Sequence, residues 1–168
     1  MRQTKVQIYK HWLILAEELY EASEPNSKAP YIGDQRRRRL NGAIVFLALS
    51  LEAFINEIGL EFCGDEFASI DRLPGPDKWL RVPKLGGKRF CKEGREPYQS
   101  IQTIFAYRNL FAHFKPSFQS DDCKQFAKMK RVDHDLFKRL YRRSIDAMKL
   151  VSSEFMVSGM EWLDIKRL

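Results

Sequence analysis

The stretch from Leu40 to Phe62, LNGAIVFLALSLEAFINEIGLEF, decides how the rest of the chain is read. Leu40, Ile44, Leu47, Leu51, Phe54, Ile58 and Phe62 recur at three and four residues, the spacing that lines one face of an α-helix. From Ala43 to Ile55 the other faces are mostly apolar too. A helix that is apolar all round is covered all round. The spacing therefore predicts a helix from about Asp34 to Phe62, with the Asp34 carboxylate capping the free N–H groups of its first turn. At about 1.5 Å per residue it spans roughly 40 Å, and it is expected to be the central element.

Working outward, the same periodicity recurs. Val6, Tyr9, Leu13, Ala16 and Tyr20 predict a helix from about Thr4 to Ala22, and the Pro25-Asn26-Ser27…Pro30…Gly33 stretch after it has loop composition. Ile101, Ile104, Phe105, Arg108, Phe111 and Ala112 share a face of a helix expected from about Tyr98 to His113. Pro116 bars the residue before it from helical angles and stops that helix near Phe114. A short segment, Asp121 to Lys130, follows. Phe137, Leu140, Tyr141, Ile145, Met148, Val151 and Phe155 predict a last long helix from about Asp133 to Val157. Between Cys63 and Pro97 the periodicity fails: four prolines and five glycines fall there. A short helix from Phe67 to Leu73 is expected, then an irregular connector in which Trp79, Leu80, Val82 and Leu85 pack down. No alternating strand pattern survives. The expectation is an all-α, antiparallel bundle of four to five helices, with a long irregular connector between the second and third long helices.

The 168 residues suit one domain, residues 1–168, and a core that needs no disulfide or metal. A chain that is 44% hydrophobic and 30% charged is neither disordered nor fibrous. No run of about 18 uncharged apolar residues is found, so no membrane span is expected. The N-terminus carries its charges inside the apolar pattern, unlike a signal peptide, and a cytoplasmic protein is expected. Cys63, Cys91 and Cys123 form no CxxC pair, which argues for reduced thiols and against zinc. The net charge of +7 favours an anionic partner, nucleic acid being the commonest.

The chemistry can be narrowed by elimination. There is no HExxH, no Gly-rich phosphate loop and no GxSxG. Of the three histidines, His11 and His134 have no trustworthy ligand or base partner and read as surface or capping residues. His113 stands apart, five residues after Arg108. On a continuous helix the two would be about 140° apart, but a helix that ends between them lets them converge. A His at a helix C-terminus is favoured as imidazolium. An Arg that keeps its charge, beside a His poised near neutrality, suits phosphodiester chemistry. Arg108 also lies on an apolar stripe, where a guanidinium needs a partner. Glu52 and Asn56, one turn apart in the greasiest stretch of the central helix, offer one; the alternative is that Glu52 faces water or a lysine. Arg36, Arg37, Arg38 and Arg39 form either a solvated collar or a contact to a phosphate backbone. Lys128, Lys130, Arg131, Lys138, Arg139, Arg142 and Arg143 add a second basic region.

Arg108-Asn109-x-x-x-His113 resembles the motif of HEPN-domain proteins. The likeness extends to Asn41–Ile58 with its SLEAFINEI core, and to Pro76-Asp77-Lys78-Trp79-Leu80 and Val82-Pro83; it covers about Gln35 to Pro116. The resemblance implies a helical bundle that dimerises so that two Arg–His motifs meet in one cleft. It implies a metal-independent endoribonuclease, without cofactor, that leaves 2′,3′-cyclic phosphate ends, in a toxin–antitoxin or antiviral setting. His113 would be the general acid or base, Arg108 would stabilise phosphate charge, and Asn109 would orient the pair or the substrate. Lys115 stands where some toxin members carry Tyr, and counts with Arg36–Arg39 as a candidate RNA contact. The resemblance equally allows a non-catalytic module that binds nucleic acid or a partner protein such as an antitoxin.

Overall fold

The computed structural model describes residues 7–24, 33–90, 92–112, 132–158 and 160–164. Among these residues all regular structure is helical: α1 (Ile8–Glu21), α2 (Gly33–Phe62), a 3₁₀ turn (Gly64–Ser69), α3 (Gly75–Leu85), α4 (Tyr98–Ala112), α5 (His134–Phe155) and a second 3₁₀ turn (Glu161–Asp164). The fold is an all-α bundle. α2 is its axis and packs against α1, α3, α4 and α5. Ala43, Ile44, Leu47, Ala48, Leu51 and Ile55 of α2 have no accessible surface, but they share one side of the helix. Val45, Phe46, Leu49 and Ala53 on the other side are half-buried, so the apolar helix is covered on one side and not all round as its composition predicts. By length and apolar composition alone, Gln35–Phe62 is sufficient to cross a membrane; 56% of its most apolar window is buried inside the bundle.

The three flanking long helices begin and end close to where periodicity puts them. Asp133 caps α5, its Oδ1 accepting the Leu136 N–H at 2.7 Å, which satisfies one of the donors a helix N-terminus leaves free. α5 closes on Met156 in the left-handed conformation, φ +53°. The side chain of Asp34, the expected cap of α2, and the segments around Thr4, Pro25–Pro30 and Asp121–Lys130 lie outside the described residues.

The connector is where the sequence expectation fails. The short helix expected over Phe67–Leu73 is a 3₁₀ turn that starts and ends earlier, and the irregular stretch after it contains the 11-residue α3. Pro76 sits in the first turn of α3, where its missing N–H costs nothing and its fixed φ helps. Pro83 lies one turn from the end, so it removes a bond only where the helix is already closing. α3 is anchored by Trp79, fully buried between the Phe54 ring (5.7 Å) and the Phe90 ring (5.5 Å). Gly75 lets its first turn approach α4: a Cβ there would lie 2.1 Å from the Phe105 ring.

Three buried tyrosines tie α1 and α5 into the bundle through acidic or soft acceptors. Tyr9 donates to Met160 Sδ at 3.5 Å, Tyr20 to Glu24 Oε1 at 3.0 Å, and Tyr141 to Glu17. Burial, then nearby carboxylates, raises all three phenols above their ordinary range, that of Tyr20 to about 12.

Gly75→Ala should destabilise the protein by about 1–3 kcal/mol, because the Phe105 ring is itself buried and has nowhere to go; a denaturant midpoint measures this. The tyrosines set the alkaline limit. Phenols whose folded pKa is raised contribute stability that is complete below their ordinary value of 10 and is lost as pH climbs through the folded value. The unfolding midpoint should therefore hold up to pH 10 and fall between 10 and 12. Tyrosinate absorbance developing at ordinary pKa values in the folded protein would contradict it.

Candidate functional site

Arg108 and Glu52 meet where the last turn of α4 crosses the middle of α2. Arg108 Nη2 lies 3.3 Å from Glu52 Oε2, with side-chain exposures of 29% and 28%. The pair is at the rim of the bundle, neither sealed in it nor free in water. Arg108 Nη1 donates to Asn109 Oδ1 at 2.9 Å. A guanidinium has five N–H donors, and these two bonds fix the plane of the fork while leaving others for a ligand. Asn109 is otherwise exposed.

One turn along α2, Asn56 meets a second cation. Lys78 Nζ donates to Asn56 Oδ1 at 2.9 Å and lies 3.5 Å from Asp71 Oδ1. Lys78 is 3% exposed and its ammonium lies over the Phe67 ring, 5.8 Å from the centroid. Glu52 and Asn56 thus share a face of α2, and that face receives Arg108 from α4 and Lys78 from α3. Lys78 was missed as a partner. A lysine in a Pro/Gly-rich stretch reads as solvated, and only the Asn56 four residues after Glu52 could have signalled a second buried donor.

The other candidates fall in different places. The arginine run is divided: Arg37 and Arg38 are exposed, Arg36 and Arg39 half-buried. Arg39 Nη1 donates to the Ala22 carbonyl at 2.8 Å. Ala22 is at the C-terminal end of α1, where free carbonyls attract cations, so Arg39 ties α1 to the start of α2. His134 Nε2 is 3.0 Å from Ser23 Oγ and its ring packs edge-on against Tyr20, a structural position at the start of α5. His11 is exposed on α1. Cys63 is half-buried, with its thiol 3.6 Å from the Val82 carbonyl and its pKa raised by burial, which makes it a poor nucleophile. Among the described residues no three His, Cys, Asp or Glu side chains gather as metal ligands would. His113, Lys115, Cys91, Cys123 and the cations from Lys128 to Arg131 lie outside the described residues.

No known protein family, characterised protein or solved structure matches the chain.

The two cation contacts should differ in weight. Arg108→Ala breaks a pair that water still reaches and should cost about 1 kcal/mol. Lys78→Ala leaves the Asn56 oxygen unpaired beside a new cavity and should cost about 2–3 kcal/mol. Equal costs, or the reverse order in denaturant melts, would show that the burial difference has been misjudged.

Proposed function

We propose that the chain is a metal-independent endoribonuclease of HEPN type that acts as a homodimer, with Arg108 and His113 from two protomers in one cleft. The observation that carries the reading is the state of Arg108. It is oriented by Glu52 and Asn109, yet still open to solvent. A cation fixed in advance stabilises charge on a phosphate with little reorganisation, whereas a fully solvated one would first have to be ordered. In this reading His113 takes the proton of the ribose 2′-hydroxyl or supplies one to the leaving 5′-oxygen. The 2′-oxygen attacks phosphorus, the P–O5′ bond breaks, and the products are a 2′,3′-cyclic phosphate and a 5′-hydroxyl end. Arg108 faces the non-bridging oxygens, and the net charge of +7 draws the polyanion to the surface.

A second reading is favoured by the same ion pair. If the bond to Glu52 is the whole purpose of Arg108, the protein is a non-catalytic HEPN-like module that binds RNA or a partner protein, such as an antitoxin. The two readings separate cleanly. Under the first, wild-type protein cleaves RNA in the presence of EDTA. His113→Ala then lowers the rate by about 10²–10⁴, the contribution of a positioned acid or base. Cleavage that survives His113→Ala, or that needs a divalent ion, refutes it. Under the second, wild-type protein cleaves nothing with or without a divalent ion, yet still binds RNA or its partner protein.

A further inference from the structure

Between α3 and α4 the chain folds around a groove of about 620 Å³ that Arg108 does not line. Lys84, Lys88, Arg89, Lys92 and Arg95 line it, with one carboxylate, Glu96, at its edge. Its floor is recessed and apolar: Leu80 and Pro83 of α3, and the half-buried Phe90 whose ring rests on Trp79. Among the described residues none of the five cations is in an ion pair. Glu96 is itself engaged, accepting from Ser100 Oγ at 2.7 Å. Five like charges around one groove repel one another, and an anion relieves that repulsion.

The groove also leads somewhere. Glu96 is shared with a second groove of about 620 Å³ along α4, floored by Gln102, Thr103 and Ala106 and closed by Arg139 of α5. Gln102, Ala106 and Asn109 recur at four and three residues, so this trough follows the helix face that carries Asn109. The surface is thus a basic, aromatic entrance followed by an open polar trough that runs along α4 toward Asn109.

We propose that this surface binds single-stranded RNA: the strand's phosphates contact the five groove cations and one base packs against Phe90. The proposal rests on the ribonuclease reading only for the direction of the strand. Three features choose this occupant. The cations flank an aromatic ring, the pairing used to bind unpaired strands, and a duplex hides its base faces from such a ring. The neutral amide and hydroxyl floor along α4 suits sugar and base edges. A lipid surface would need apolar side chains projecting beside the cations. Among the described residues the exposed large ones are Ile8, Ile14, Leu60, Phe62, Leu150 and Met156, all on other elements.

The test is binding, not cleavage, so it stands apart from the ribonuclease assay. A fluorescein-labelled 20-mer of uridylate is titrated by anisotropy against the full chain carrying His113→Ala, at several salt concentrations. Lys92→Gln with Arg95→Gln should weaken binding about tenfold. It should also lower the slope of log K against log salt by about 1.4, since each single-strand phosphate contact contributes about 0.7. The matched pair Arg72→Gln with Arg81→Gln, exposed and outside the groove, should weaken it less than twofold. Phe90→Leu keeps the packing on Trp79 and should weaken binding severalfold without changing the slope; thermal melts of each variant confirm that it is folded. Equal losses for the two pairs, or no loss for the first, overturn the proposal. So does equal affinity for the duplex form, or a groove-dependent preference for phosphatidylserine vesicles over RNA. If the wild type binds in this way but cleaves nothing, the groove stands and the enzyme reading falls.

Discussion

A carboxylate in the apolar middle of the central helix, more than half covered, is stabilised by a cation, and Glu52 is met by Arg108. Much of the arrangement follows from that pairing. α2 packs against four other helices, and its apolar side chains could slide past theirs with little penalty, since apolar contact is non-directional. The polar pair Glu52 and Asn56 removes that freedom. Each accepts from a different helix, Arg108 on α4 and Lys78 on α3, one turn apart along α2. Two directional contacts at different heights fix the register of both neighbours, and the rings of Phe54, Trp79 and Phe105 then pack around that register.

The two contacts are not equivalent in their surroundings, and the difference bears on chemistry. Lys78 is shut in, with an acceptor at Asn56, an acidic neighbour at Asp71 and an aromatic face below it. Nothing is left for a ligand. Arg108 is at the rim, with donors to spare, and is followed by an exposed asparagine and the end of its helix. The fold thus spends one cation on cohesion and holds the other where an anion can reach it.

How much of this was legible beforehand depends on what kind of signal each part leaves. α2, α4 and α5 announce themselves through long apolar stripes, and helix packing follows those stripes. The meeting of Glu52 with Arg108 was also readable, because a charge on an apolar stripe implies an opposite charge on another. α3 was not. Pro76 and Pro83 flank a single short amphipathic turn pair, and prolines at those two places are tolerated for reasons of position that composition does not show. Lys78 was lost with it, since a lysine becomes a buried donor only once a helix turns it inward. The connector cations had the same fate: Lys84, Lys88, Arg89, Lys92 and Arg95 fall close together in sequence, but a basic stretch in a loop reads as solvated, and only the fold around Phe90 turns them to one groove.

In the proposed enzyme Arg108, held by Glu52, faces a phosphate together with His113. Nuclear magnetic resonance of the full chain, labelled on arginine and histidine side chains, tests it most directly, with a non-cleavable 2′-fluoro RNA dinucleotide as the added ligand. The guanidinium signal of Arg108 and the imidazole signal of His113 should shift together along one binding isotherm. An Arg108 signal that stays where Glu52 put it, while the dinucleotide binds elsewhere, would contradict the claim.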